Sequence, residues 1–358
     1  MSLNRATDNR ATAATVRPLV GYLGWHGRGN LGDDAIYDAV CAQLPGAGFV
    51  DLPVLPGERL RAVVSGRNRL LRRSAQVIGG GTLLGTRYFR PLVARGLKLT
   101  ATRGSYAIGA GVEDPAYPRT QNASGPDELR RWIPLLSRFR VVSVRGPRSA
   151  QLLADAGLEV TVAGDPALLL DRPQVVPQDG VIGLNLGFGD DDLWGRDPAG
   201  VADVISGAVR ELSARGFRFV GILMNGADRR WTEQALAGTG ARIVAPVDAA
   251  GAAAELAGCS AVIVSRLHAG ILAALSQTPV ISLEYQPKCR DFALSIDDER
   301  SLLRTDALSV SAVVERVLAT LDDAAAIREK TRAAVDVLRA RLDAQYDVLR
   351  AELGPHAS

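Results

Sequence analysis

The chain predicts two doubly wound α/β domains of Rossmann-like type facing a central cleft, and three observations predict it. Short apolar runs alternate with stretches of helical spacing, and each run ends in small or charged residues. The pattern also breaks once, at a polar and Pro-rich stretch, and then starts again. With 358 residues and 47% hydrophobic content there is apolar material for two cores, since single cores stop growing near about 250–300 residues.

Residues 1–17 are polar and rich in Ala, Thr, Asn and Arg, and read as a disordered tail without the apolar core of a signal peptide. The first strand lies within 18–24 and runs into a glycine-rich turn, followed by helical spacing over 33–44 with Asp33 and Asp34 at its start. Further apolar runs end at Gly79-Gly80-Gly81, at Gly109-Ala110-Gly111, at Arg145-Gly146 and at Gly164-Asp165-Pro166. The break over 171–180 is the expected linker, dividing a first domain over 18–172 from a second over 173–310. Strands are expected at 181–185, 217–223, 242–244, 261–264 and 280–283. Residues 311–358 read as long helices packing back on the first domain.

Composition excludes several function classes. A net charge of +3 and 5% aromatic content do not fit a nucleic-acid binder. Cys41, Cys259 and Cys289 have no paired or metal-type spacing, which points to a reducing compartment. No apolar run approaches the ~20 residues of a transmembrane helix, so a cytoplasmic protein is expected. No metal site is expected either, because His26 near Asp33 lacks ligand spacing.

The chemistry concentrates at strand ends. Arg266-Leu267-His268 closes an apolar run, and Lys288 follows twenty residues later. A guanidinium, an imidazole and an ammonium together can hold a small polyanion and pass it a proton. Lysine is rare here, confined to Lys98, Lys288 and Lys330 among 42 basic residues, and a compact ammonium suits phosphate. Arg145 either faces the cleft or forms a surface ion pair. Gly80 and Gly81 either admit a ligand close to the backbone or simply form a tight turn. Asp33 and Asp34 either act on a ligand or complement the helix dipole, and Asp165 either faces the site or caps a helix. The glycines after the first strand do not fit the dinucleotide fingerprint. Arg59, Arg61, Arg67, Arg69, Arg72 and Arg73 form a basic stretch, which is either a solvated helix face or a contact for an anionic membrane surface.

Six segments in this order resemble the polysaccharide pyruvyl transferase family: Gly29-Asn30-Leu31-Gly32-Asp33-Asp34-Ala35-Ile36, Gly79-Gly80-Gly81, Ser143-Val144-Arg145-Gly146-Pro147-Arg148-Ser149, Gly164-Asp165-Pro166-Ala167, Arg266-Leu267-His268-Ala269 and Tyr285-Gln286-Pro287-Lys288. The likeness spans residues 20 to about 295, and its acidic pair, more often Asp-Glu in such proteins, is Asp33-Asp34 here. It implies a two-domain, GT-B-like fold resembling that of the GT-B glycosyltransferases, phosphoenolpyruvate as donor substrate, no cofactor, and a glycan or lipid-linked sugar as acceptor. The first domain would be the acceptor side and the second the donor side. His268 and Asp33 would be catalytic, and Arg145, Arg266, Leu267, Lys288, Gly80 and Gly81 would bind the donor. Asn30, Asp34, His26 and Asp165 would bind the acceptor. A nucleotide-sugar glycosyltransferase of the same architecture, whose ribose pocket would carry a Glu for which Glu284 could be mistaken, is the alternative enzyme; a non-catalytic anion-binding module is the alternative outside enzymes.

Overall fold

A computed structural model of the chain describes residues 17–100, 103–117, 125, 127–189 and 192–354; the expected tail over 1–16 and His356 lie outside them. The first sheet contains β1 (Leu19–Leu23), β2 (Gly48–Asp51), β3 (Ser74–Ile78), β4 (Thr82–Leu84), β5 (Ser105–Val112), β6 (Val141–Val144) and β7 (Thr161–Val162). Their order is β2-β1-β3-β5-β6-β7, with β4 alongside β5. The second contains β8 (Gln178–Asn185), β9 (Arg218–Ile222), β10 (Arg242–Val244), β11 (Cys259–Val264), β12 (Val280–Glu284) and β13 (Leu302–Arg304), ordered β10-β9-β8-β11-β12-β13. Every pairing is parallel, so each strand needs a crossover, and helices cover both faces.

The crossovers of the first domain are α1 (Leu31–Gln43), α2 (Pro56–Val64), α3 (Arg67–Leu71), α4 (Arg90–Leu99), α5 (Glu128–Leu136) and α6 (Pro147–Asp155). Those of the second are α7 (Pro198–Ala214), α8 (Arg229–Leu236), α9 (Ala249–Ala257), α10 (Leu267–Leu275) and α11 (Pro287–Ser295), and α12 (Val310–Asp322) and α13 (Ala324–Leu353) end the chain. Both sheets reverse direction of winding beside their first strand, between β1 and β3 and between β8 and β11. Crevices at the carboxyl ends open at such switch points. The loops after β1, β3, β8 and β11 flank these switch points.

Three short strands, β2, β4 and β13, were not expected, because runs of three or four residues carry little periodicity. Strand β5 also continues through Gly109-Ala110-Gly111, where the apolar run was expected to end. Gly109 holds φ +68°, and a Cβ there would stand 2.3 Å from the Gly164 carbonyl oxygen, so only glycine lets the neighbouring loop approach.

The C-terminal expectation needs correction. Only α13 crosses to the first domain; α12 packs on the second through Val313, Val314 and Val317. A lone Asp323 separates the two helices, which is why the sequence read them as one unit. On α13, Val335, Leu338, Leu342, Tyr346, Leu349 and Leu353 share one buried core with Val20 and Ile36 of the first domain and Val262 and Leu272 of the second. Arg350 Nη1 anchors the far end on Gln43, donating to its carbonyl oxygen at 3.1 Å and to its side-chain oxygen at 2.8 Å.

Candidate active site

The loop after β1 is shaped by its own side chains. Asn30 caps α1, accepting from the Gly32 amide at 3.2 Å, and its Nδ2 donates to Asp33 Oδ2 at 2.5 Å. The same loop docks on the second domain: the Leu31 amide donates to the Met224 carbonyl at 2.9 Å, and Asn225 Nδ2 to the Gly29 carbonyl at 2.9 Å. Gly32 is needed because His268 lies against it; a Cβ would fall 2.3 Å from Nδ1 of that imidazole.

His268 occupies the first turn of α10, a helix whose other residues are almost all buried. Its Nε2 stands 3.6 Å from Asp165 Oδ2, and Arg145 Nη1 lies 3.7 Å from the same oxygen. Asp165 is sealed from solvent, and its other oxygen accepts from the Ala167 amide at 3.0 Å. Burial, the largest influence, pushes the Asp165 carboxyl up. His268 and Arg145, with the Ala167 amide, outweigh it and hold the group below the ordinary carboxylate range.

Arg145 follows β6 and is completely buried, with no hydrogen bond from any of its three guanidinium nitrogens. Its carboxylate neighbours, Asp165 and Asp291 of α11, both stand at 3.7 Å. Gly111 makes room for it, since a Cβ there would lie 2.6 Å from Nη2. Asp291 meanwhile binds across the domain boundary to Ser149, whose amide donates at 3.0 Å and whose hydroxyl donates at 2.6 Å.

Arg266 is held differently. Its Nε and Nη2 donate to Asp228 Oδ1 at 2.9 and 2.6 Å. Asp228 is buried and also accepts from Asn185 Nδ2 and the Met224 and Asn225 amides at 3.0–3.2 Å. Lys288, in the first turn of α11, carries its Nζ 4.7 Å above the Tyr285 ring. Burial raises the Asp33 carboxyl above its ordinary range, against the opposing pull of His268, the Asn30 hydrogen bond and Lys288.

A cavity of about 310 Å³ between the domains brings these groups together: Arg145, Arg266, Leu267, His268 and Lys288, with Asn30, Asp33 and Gly81 opposite. That is the lower end of the range for small-molecule sites, about 300–1,000 Å³. Four expected contacts do not line it. His26 stacks on Tyr37 at 3.9 Å and pairs with Asp51 at 3.3 Å, because the turn at Gly27 and Gly29 points it away from the cleft. Asp34 accepts from the Gly27 amide at 2.6 Å and closes that turn. Gly80 faces α1, where a Cβ would meet Ile36 at 2.8 Å. Asp165 is buried behind His268, placed to orient it.

The sequence reading missed Trp25, Thr82 and Phe89 in the cavity wall, and Asp228 and Asp291 behind the arginines. Asp228 was findable, since Asn225-Gly226-Ala227-Asp228 begins just past β9, where ligand-facing loops lie.

The family model for polysaccharide pyruvyl transferase matches residues 30–287. The chain belongs to that family. No curated protein matches it. Among solved structures, the UDP-GlcNAc 2-epimerase of Neisseria meningitidis bound to UDP-GlcNAc is similar with a TM-score of 0.56 at 11% identity, over 88% of this chain and 94% of that one. The Methanocaldococcus jannaschii UDP-GlcNAc 2-epimerase gives 0.55 at 10%, over 85% and 93%. Anabaena Alr3699/HepE in complex with UDP and glucose gives 0.54 at 12%, over 92% and 96%. At these identities the likeness concerns the fold alone, which this member of the polysaccharide pyruvyl transferase family shares with those proteins.

Proposed function

We propose that the protein transfers the pyruvyl group of phosphoenolpyruvate to a sugar diol, forming a cyclic ketal in cell-envelope polysaccharide or glycolipid assembly. The observation that carries this reading is the convergence on one cavity of Arg145, Arg266, Lys288, His268 and Asp33.

His268 as imidazolium protonates the methylene carbon, leaving positive charge at C2 that a sugar hydroxyl attacks as it loses its proton. Cleavage of the C2–O bond releases phosphate with the bonding pair. The second hydroxyl then attacks C2, gives up its proton and closes the ketal. Asp165, 3.6 Å from Nε2, keeps His268 oriented. Asp33, with its carboxyl raised by burial, accepts the hydroxyl proton. Arg145 and Arg266 grip carboxylate and phosphate, and Lys288 neutralises the departing phosphate. The acceptor sugar meets Asn30 and the ring of Trp25, in place of His26, Asp34 and Asp165.

The nucleotide-sugar alternative loses its ribose ligand, because Glu284 is engaged by Arg290 at 2.6 and 2.9 Å.

The test is phosphate release from phosphoenolpyruvate with a panel of free and lipid-linked sugars, read with product mass. His268→Ala should lower turnover by about 10²–10⁴-fold while donor affinity changes little. Full turnover by that variant would remove the acid role, and stabilisation by a UDP-sugar but not by phosphoenolpyruvate would favour the glycosyltransferase.

A further inference from the structure

A second surface of the molecule carries chemistry the cleft does not use. On α2, Leu60, Val63 and Val64 are 68%, 60% and 80% exposed, and Leu55 before the helix and Leu70 on α3 are exposed too. Spacings of three and four residues put the α2 trio on one helix face, opposite Ala62, the residue by which the helix is buried. Apolar side chains presented together in this way mark an interaction surface, unlike single exposed ones.

Around this stripe stand Arg61, Arg67, Arg69, Arg72 and Arg73, all exposed, with Arg59 half-buried. The one acidic residue from 56 to 73 is Glu58, and its carboxylate is already engaged. It accepts from Arg28 at 2.8 Å and from the Val54 and Leu55 amides at 2.9 Å. The segment thus presents six arginines and an apolar ridge. An anionic bilayer is complementary to both, offering phosphate charge above an acyl boundary.

We propose that α2 and α3 dock the protein on an anionic lipid bilayer, with Leu60, Val63 and Val64 entering the headgroup boundary and the arginines lying against lipid phosphates. The face adjoins the cleft. Glu58 holds Arg28, whose guanidinium lies 4.4 Å over the Trp25 ring, and Trp25 lines the cavity. A sugar carried on a lipid would reach the cavity from this side, but the docking itself does not depend on the reaction assigned to the cleft.

The experiment is flotation of the full chain with phosphatidylcholine vesicles and with vesicles containing about one-third phosphatidylglycerol. Binding is expected only to the anionic vesicles, weakening as salt rises. Arg69→Glu with Arg73→Glu should lower it by at least about 20-fold, and Leu60→Ser with Val64→Ser by about tenfold. Both double variants should retain the parent's melting temperature and its phosphate release with a soluble acceptor. Absence of parent binding to anionic vesicles would overturn the proposal, as would equal binding by both double variants. A concentration-dependent dimer that dissolves in Leu60→Ser with Val64→Ser, without vesicle binding, would overturn it in favour of a second copy.

Discussion

On the first-domain wall of the cleft, Arg145 is shut away from solvent and makes no hydrogen bond, whereas on the second-domain wall Arg266 gives two to Asp228. The two residues sit at comparable places, each just past the carboxyl end of a strand. A buried donor without a partner costs about 1–3 kcal/mol, more when charged. Arg145 is thus held only by the charges of Asp165 and Asp291 at 3.7 Å, while two hydrogen bonds fix the orientation of Arg266. A tally of charge adds a second lesson. The sequence suggested a basic pocket, but Asp33, Asp165, Asp228 and Asp291 accompany Arg145, Arg266 and Lys288.

The strongest test of the contrast is truncation of each arginine. Arg145→Ala strands two buried carboxylates and should cost about 3–5 kcal/mol of stability in urea unfolding. Arg266→Ala leaves Asp228 its bonds to Asn185 and two amides and should cost about 1–3 kcal/mol. Equal losses would break the comparison.

Next in size is proton linkage. Calorimetric titration of phosphoenolpyruvate in two buffers of different ionisation heat should show net uptake of about one proton near neutral pH. Binding without uptake would mean the cavity accepts the anion on its cations alone.

The smallest effect separates the two carboxyls. Asp165 is held below its ordinary range, so it contributes stability above its unfolded value, and that contribution disappears as pH falls through the folded one. Asp33 is raised, so its ionisation on the way to neutral pH opposes folding. Asp165→Asn should flatten the acid limb of stability against pH, and Asp33→Asn should slightly raise the melting temperature at neutral pH. A shared direction for both would show that burial alone, and not the cations, sets their behaviour.

Much of this was legible in the chain. The restart of apolar runs after 171–180 announced two sheets, and His268, Arg145 and Lys288 declared themselves by position at strand ends. What stayed hidden has a common cause in sequence distance. Arg266 and Asp228 are 38 residues apart, and Ser149 and Asp291 are 142 apart, so no local pattern joins them. His26, assigned to the acceptor by the resemblance, is instead taken up by Tyr37 and Asp51.

Because α13 closes a core that includes residues of β1 and α1, the first strand and helix described wait for residues about 300 positions later. During vectorial synthesis the first domain emerges from the ribosome with an apolar flank still uncovered, and it can be sealed only after residues 335–353 have been made. Folding of this protein is thus completed from its carboxyl end, and a stalled or clipped nascent chain exposes that flank to chaperones before any chemistry in the cleft is possible.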